Sequence, residues 1–163
     1  MCIPCSVRPT PDKGLGVFTD AKVLQGATIW RHAPGQYEVF NEEILLKRLD
    51  KGSKEEAVHL LTHIVSMEEF PGYMINVLDE GALINHSELP NMKRKSDTVQ
   101  YNGSGVFSVH QVLEALRHSQ FDLVASRDIE AGEELLMDYN AEPDDPGYYE
   151  RACERYGVTW EWL

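Results

Sequence analysis

The sequence predicts a strand-led α+β protein, with helices inserted between short strands. Many apolar segments of a few residues are bounded by Gly, Pro, Asn or Asp, which is typical of strands joined by turns. A few longer segments have the composition or apolar spacing of helices. The 163 residues are 42% hydrophobic and 26% charged, which fits one domain with a sizeable core.

The first half of the chain alternates turns and strands before two helices. Gly14–Phe18 follows a Pro-rich start and predicts a tight turn leading into a strand, and Ala27–His32 predicts another strand. Helices are predicted over Asn41–Lys51 and Lys54–Glu68, and each has a residue suited to an N-cap at its start or directly before it. These N-cap residues are Asn41 and Ser53.

The second half repeats this mixture. Asn102–Gly105, inside Thr98–Phe107, has the composition of a hairpin turn. Val109, Val112, Leu113 and Leu116 form a helical stripe within Ser108–Ser119. The remaining predicted elements are strands over Tyr73–Leu78, Phe121–Arg127 and Leu135–Tyr139, a polar loop over Asp144–Gly147 and a helix over Tyr148–Tyr156.

The net charge of −12 limits the classes of partner. Broad nucleic-acid binding is disfavoured, because phosphates would be repelled. A Lys- or Arg-rich peptide is favoured by electrostatic steering, and the alternative is that the charge only keeps the protein soluble. Asp128–Glu154 contains ten carboxylates and one Arg, so these residues predict either an acidic groove edge or a solvated face.

The sequence also bears on compartment and metal binding. No apolar run approaches the roughly 20 residues of a membrane span, and Met1–Thr10 lacks the pattern of a secretory signal. We therefore expect an intracellular protein, nuclear or cytoplasmic, with no membrane partner. The three cysteines favour a reducing compartment. Cys2, Cys5, His59 and His63 could together form a zinc site. The alternative is that His59 and His63 lie on one face of a helix and that the cysteines belong to a loose amino terminus. The alternative is preferred, and no metal is expected.

Three separated motifs carry the functional prediction. The first is Gly14-Leu15-Gly16, the second is Asn85–Asn91 (NHSELPN), and the third is Gly132–Tyr139 (GEELLMDY). Each is weak alone: the first could be any turn, the second contains a glycosylation sequon, and the third could be an ordinary turn before a strand. Their order and content over Lys13–Tyr139 resemble the SET-domain protein lysine methyltransferases, which carry GxG, NHSxxPN and GEELxxDY motifs.

This resemblance implies a fold and a domain layout. The implied fold is the SET-domain (β-clip) fold of small curved sheets, in which the last strand is threaded beneath a loop to form a C-terminal pseudo-knot. The core would span residues 1–140, with insert helices at about 41–68 and 108–119. Residues 141–163 would form an aromatic and acidic tail, and the family's Cys-rich zinc-binding tail is missing from this sequence.

The resemblance also implies S-adenosyl-L-methionine as methyl donor and S-adenosyl-L-homocysteine as product. The implied cofactor-binding residues are Lys13, Gly14, Leu15, Gly16, Asn85, His86 and Tyr139. Glycines without Cβ atoms let the backbone approach a ligand closely. For His86 and Asn91, an alternative role is to brace the knot by hydrogen bonds.

Tyr139 is the leading catalytic candidate, because methyl transfer is an in-line displacement in which alignment dominates. A phenol oxygen can hold the amine and the methyl in line, with weak C–H···O contacts. Tyr73 is the second candidate, as a channel or stacking residue. The alternative for each is a core tyrosine. Glu133, Glu134 and Asp138 are interpreted as turn and surface groups.

Departures from the family pattern leave alternatives open. Ala82-Leu83 stands where Arg-Phe is common, Glu88 where Cys is common, and Met137 where a Phe often sets the number of methyl groups. An inactive SET-like binding module is therefore the second function hypothesis. The tail aromatics predict either a lid over the cofactor or packing of the tail helix on the core. They are Tyr148, Tyr149, Tyr156, Trp160 and Trp162.

The predicted partner is a lysine-containing basic protein or peptide. Histone tails, ribosomal proteins and other basic proteins all meet that description. A homodimer that completes the peptide groove is an arrangement that compact members of the family suggest.

Overall fold

The computed structural model describes residues 1–66, 70–95, 107–118, 121–139 and 146–158. Ten strands and four α-helices are present in these ranges. The strands are β1 Cys5–Pro9, β2 Leu15–Thr19, β3 Thr28–Trp30, β4 Tyr37–Phe40, β5 Ile64–Ser66, β6 Met74–Val77, β7 Asn85–His86, β8 Met92–Arg94, β9 Leu123–Ala125 and β10 Leu136–Met137. The helices are α1 Glu42–Leu49, α2 Lys54–Leu61, α3 Val109–Leu116 and α4 Gly147–Tyr156, with a short 3-10 helix at Glu80–Leu83.

In the described part of the chain, the strands form four small sheets. β1 and β2 make an antiparallel hairpin, and the three-stranded antiparallel sheets have the orders β3-β9-β8 and β4-β6-β5. The fourth sheet pairs β7 with β10 in parallel. The predicted strand-led α+β class is confirmed.

Helix starts follow the predicted capping chemistry. The Asn41 side chain accepts from the first turn of α1. Ser53 and Glu56 satisfy each other's backbone N–H groups at the start of α2, and Ser108 and Gln111 do the same at α3. Such reciprocal capping boxes stabilise a helix start because they occupy N–H groups without intrahelical partners.

The helix predicted over Lys54–Glu68 is too long. α2 ends at Leu61, and Ile64–Ser66 forms β5, which pairs with β6. Ile64 and Val65 are β-branched, so they fit a strand as well as a helix. Apolar spacing alone does not separate the two, and pairing with β6 decided the outcome.

The expected loose amino terminus is also wrong. Cys5–Pro9 is paired along its whole length with β2, and the backbone N–H of Cys2 donates to Ile29 O at 2.8 Å. Met1 and Ile3 pack against the core around Val17. The segment is held by sheet pairing with β2, which its own composition does not reveal.

The sequence does not predict strands β1, β4, β7 and β8 or the 3-10 helix, because each is short and lacks a clear period. Other predictions fall on residues outside the described ranges. These are the hairpin turn at Asn102–Gly105, most of the loop at Asp144–Gly147, and the environments of Trp160 and Trp162.

The sheet β4-β6-β5 separates two apolar clusters. Phe40 and Met74 lie opposite each other on one face, where α1, α2 and α4 cover them. Val39 and Ile75 lie on the other face, beneath α3. A third cluster lies between β2 and the sheet β3-β9-β8. No helix of the described residues has the length and apolar character needed to cross a membrane.

The tail helix α4 belongs to the first of these clusters. Tyr149 is fully buried, and its hydroxyl donates to Leu61 O at 2.5 Å. The Tyr148 hydroxyl donates to Gly72 O at 3.1 Å, and Arg151 pairs with Glu42 on α1. Of the two roles predicted for the tail aromatics, the structure gives Tyr148 and Tyr149 packing on the core.

His32 joins two clusters through aromatic contacts. Its ring lies edge-on to those of Trp30, Tyr37 and Phe121, with centroid distances of 4.3, 5.3 and 6.3 Å. Burial, together with the charge of Arg94, lowers the pKa of His32 to about 4. The folded protein therefore keeps this imidazole neutral.

The first prediction concerns core packing on α1. We expect Leu45→Ala to lower the free energy of unfolding by about 2–5 kcal/mol, because Leu45 is fully buried and its loss leaves a cavity. Ile44→Ala, one residue away and 37% exposed, should cost about 1 kcal/mol or less. Urea unfolding of both variants measures the difference, and equal losses would contradict the packing described.

The second prediction concerns His32 and pH. Because its pKa is about 4 in the folded protein and 6.5 when unfolded, the unfolded state alone takes up a proton between these values. The contribution of the neutral His32 to the free energy of unfolding is therefore complete above pH 6.5 and is lost as pH falls toward 4. We expect wild type to lose about 2 kcal/mol more than His32→Phe between pH 7 and pH 5 in urea unfolding. Parallel curves for the two proteins would refute this.

Candidate functional site

The parallel pair of β7 and β10 joins two motifs that are far apart in the chain. Asn85 is in register with Leu136 and His86 with Met137. The pairing continues beyond the strands, since the backbone N–H of Ser87 donates to Met137 O at 2.8 Å. The NHSELPN and GEELLMDY segments are therefore in direct contact.

Asn91 fixes this junction. Its side chain is 1% exposed; Nδ2 donates to Glu134 O at 2.7 Å, and Oδ1 accepts from Leu136 N at 2.9 Å. The Asn91 backbone carbonyl accepts from Ser126 N at 2.9 Å. A single buried amide thus bonds Glu134 O just before β10 and Leu136 N within it, so Asn91 braces the contact between the two segments.

The Gly14-Leu15-Gly16 turn packs beside the same junction. Gly14 has φ +74, a left-handed conformation that favours glycine. At Gly16, a Cβ atom would lie 2.4 Å from Glu134 Oε1 and 3.0 Å from Asn85 Nδ2. Only glycine allows the strand to approach the two motifs this closely.

Asn85 connects all three motifs. Its Nδ2 donates to Leu15 O at 3.0 Å and to Glu134 Oε1 at 2.7 Å. An amide nitrogen carries two hydrogens, so both are used within the protein. The oxygen Oδ1 is the part of this amide left for a ligand.

His86 is held from two sides. Its backbone carbonyl accepts from Lys13 Nζ at 2.6 Å, and its ring Nδ1 accepts from Tyr139 N at 3.0 Å. Asp138 Oδ1 lies 3.8 Å from the same Nδ1. His86 therefore joins Lys13, which precedes the GxG turn, to the residue that follows β10: its backbone carbonyl makes the first contact and its ring the second.

Tyr139 follows β10 and lies against His86, with ring centroids 5.6 Å apart. Its hydroxyl donates to the backbone carbonyl of Ile84, and the residue is 43% exposed. Burial of the hydroxyl raises its pKa, so the phenol stays protonated at neutral pH. The protonated oxygen has lone pairs to offer and no tendency to act as a base.

Tyr73 lies elsewhere. It is 7% exposed in the cluster beneath α3, and its hydroxyl donates to Phe107 O. The structure thus brings Tyr139, the GxG turn, Asn85 and His86 together and does not bring Tyr73 to them. A role for Tyr73 in a channel stays a prediction.

Two residues of the junction were not predicted as functional. The sequence indicates a turn or surface group at Glu134, and nothing in it marks Ile84, whose contribution is a backbone carbonyl. Glu133 does behave as expected of a turn residue: its hydrogen bonds with Arg127 and with the backbone of Glu130 lower its pKa. No signal in the sequence separates these adjacent glutamates.

The weighed zinc ligands are dispersed in the described structure. Cys5 lies in β1 beside β2, whereas His59 and His63 stack on each other at the end of α2, with ring centroids 4.2 Å apart. Among the described residues, no three His, Cys, Asp or Glu side chains are grouped as metal ligands.

Comparison with known protein families identifies the family of this chain. A family model described as the SET domain matches residues 14–140, which is more than three quarters of the chain. This protein belongs to the SET domain family. The match begins at the GxG turn and ends one residue beyond Tyr139, so it includes all three motifs.

Solved SET domain structures resemble the whole described fold. The Neurospora SET domain protein DIM-5, a histone lysine methyltransferase, is 19% identical with a TM-score of 0.54, covering 89% of this chain and 55% of that one. The ctPRC2 complex bound to S-adenosylmethionine in an autoinhibited conformation is 17% identical with a TM-score of 0.59, covering 95% and 17%. This chain therefore spans about half of the first protein and under a fifth of the second.

A third structure is closer in size. It is a Plasmodium falciparum protein proposed as a histone methyltransferase, 15% identical with a TM-score of 0.50, and the match covers 87% of this chain and 97% of that one. No curated protein sequence matches this chain. At these identities the likeness shows the fold, and the predicted SET-domain fold is confirmed.

The third prediction tests the junction. We expect Asn91→Ala to lower the free energy of unfolding by about 3 kcal/mol, because Glu134 O and Leu136 N lose their buried partner. Ser87→Ala is the matched control in the same motif, since its hydroxyl accepts one exposed bond from Leu89 N, and it should cost less than about 1 kcal/mol. Equal effects in urea unfolding would show that Asn91 does not hold the two segments.

Proposed function

We propose that this protein transfers a methyl group from S-adenosyl-L-methionine to the side-chain amine of lysine in a basic protein substrate. The observation that carries the proposal is the meeting of Tyr139, Asn85 and His86 with the GxG turn. Membership of the SET domain family supports this reaction class. The likeness to a histone lysine methyltransferase supports the substrate class.

The residues at the junction fit a donor that carries positive charge and hydrogen-bond donors. Asn85 has its oxygen available as an acceptor. No ion pair of the described residues involves Glu134, whereas the adjacent Glu133 is paired with Arg127 at 2.8 Å. An unpaired carboxylate beside the turn favours a cationic ligand. Residues 13–16, with Asn85, His86 and Tyr139, are the proposed cofactor-binding set.

When bound, S-adenosyl-L-methionine supplies an electrophilic methyl group on a positively charged sulfur. The Tyr139 hydroxyl donates its proton to Ile84 O, so its oxygen can only accept hydrogen bonds from a ligand. That oxygen suits N–H and weak C–H donors, which is what aligning an amine with a polarised methyl requires. Because its proton is donated to Ile84 O and burial raises its pKa, Tyr139 is a protonated phenol at neutral pH, and we assign it to positioning the amine rather than to removing its proton.

The substrate lysine must lose its proton before attack. Its free pKa of about 10.4 lies roughly three units above neutral pH, a cost of about 4 kcal/mol. Desolvation and the nearby positive charge of the donor both favour the neutral amine. The net charge of −12 favours encounter with a basic protein, such as a histone tail.

Several further assignments complete the proposal. The catalytic core spans residues 1–140, and residues 141–163 are the aromatic and acidic tail that follows it. No metal takes part, and the protein acts in the nucleus or cytoplasm. A homodimer that completes the peptide groove is part of the same proposal. The competing function is a SET-like binding module without turnover, suggested by Ala82 and Glu88.

Calorimetric titration separates these functions. We expect saturable one-to-one binding of both S-adenosyl-L-methionine and S-adenosyl-L-homocysteine to the purified chain. Transfer of labelled methyl to histones or other basic proteins should follow in a screen. A folded sample that binds neither ligand would reject the cofactor assignment, and binding of basic peptides without turnover would favour the binding module.

The fourth prediction concerns Tyr139. Tyr139→Phe should lower the methylation rate about a hundredfold, because the oxygen that aligns the amine is lost. Cofactor affinity should fall much less than the rate, because the ring beside His86 and the backbone N–H that bonds it are kept. Tyr37→Phe is the control, since the Tyr37 hydroxyl donates to Leu113 O at 3.4 Å in a separate cluster. Single-turnover rates with labelled cofactor measure both, and an unchanged rate in Tyr139→Phe would remove Tyr139 from the reaction.

A further inference from the structure

The carboxylate of Glu134 is held in place beside the GxG turn. Its backbone is fixed on both sides: its carbonyl accepts from Asn91, and its neighbours Glu133 and Leu135 are bonded to Thr19 and Val17 of β2. The side chain is half-buried and directed at the GxG turn, where a Cβ on residue 16 would meet Oε1 at 2.4 Å. The carboxylate therefore has little freedom to move.

The carboxylate determines which way the Asn85 amide faces. If this amide were rotated by 180°, its oxygen would face both Glu134 Oε1 and Leu15 O, which are acceptors. Two acceptor–acceptor contacts would then replace two hydrogen bonds, and the bond to Glu134 is charge-assisted. Of the two acceptors, Leu15 O is a neutral carbonyl and Glu134 a carboxylate, so Glu134 contributes the larger share of the preference.

We propose that Glu134 is a positioning residue that holds the Asn85 amide in one orientation, with Oδ1 turned to the ligand. This inference rests on the proposed function, which identifies the ligand as S-adenosyl-L-methionine, and it adds Glu134 to the proposed cofactor site. A site with a fixed acceptor next to a carboxylate binds an ammonium group and rejects a carboxylate. The amino-acid part of the methyl donor carries both groups, so the orientation of Asn85 decides which of them is bound there.

The fifth prediction uses three variants and three ligands. Glu134→Ala should weaken binding of S-adenosyl-L-methionine and S-adenosyl-L-homocysteine about tenfold, since Asn85 loses its charged partner. Glu134→Gln should show an intermediate loss of about threefold, because a Gln oxygen still accepts from Asn85 while the charge of the carboxylate is lost. Glu133→Ala, which removes a carboxylate from the same turn, should stay within about twofold of wild type.

The third ligand is 5′-methylthioadenosine, which keeps the adenosine and lacks the amino-acid part. Its affinity should change less than twofold in Glu134→Ala, because the ammonium group is missing. An equal loss for all three ligands would indicate a general disturbance of the site and would overturn the proposal. A loss in Glu134→Gln as large as in Glu134→Ala would overturn it as well.

A measurement without ligand separates this proposal from the proposed function. In ¹H–¹⁵N spectra, the two side-chain amide protons of Asn85, assigned by their loss in Asn85→Ser, should exchange slowly with solvent. In Glu134→Ala their exchange should be at least about tenfold faster. Unchanged exchange would overturn the positioning role whatever the ligands do. Faster exchange in a protein that binds none of the three ligands would support it and reject the proposed function.

Discussion

The parallel pairing of β7 with β10 is the constraint on which the site depends. Parallel strands cannot be joined by a tight turn, so about fifty residues of chain must leave and return between the two segments. Two residue pairs are too few to hold such a junction alone. Asn91 completes it, because its buried amide satisfies both a carbonyl and an N–H group on the second segment.

Hydrogen-bond polarity then determines what the junction can bind. The protein uses the donor half of the Asn85 amide and the proton of the Tyr139 hydroxyl. Both groups therefore present oxygen lone pairs, and a carboxylate lies beside them. Such a surface is matched by a ligand rich in N–H and positive charge, and the close approach of the GxG turn depends on the missing Cβ of Gly16.

Packing around the site is divided into separate clusters by the sheet β4-β6-β5. The insert helices α1 and α2 share one cluster with the tail helix α4. Tyr149 of α4 connects this helix to the end of α2 through its hydrogen bond to Leu61 O. Tyr73 lies in another cluster, and His32 connects that cluster to the one beneath the junction. The side chains that pack these clusters are therefore largely different from those that meet at the junction of the three motifs.

The sequence by itself determined the family, the α+β class and the helix starts, because motifs and capping residues act over a few positions. It also predicted Asn85, His86 and Tyr139 as site residues, and the structure places these three close together. Only the tertiary structure decided that Ile64–Ser66 is a strand, that the amino terminus is paired, and that Glu134 differs from its neighbour. Each of these outcomes depends on a partner distant in the chain, and local residue pattern carries no record of such contacts.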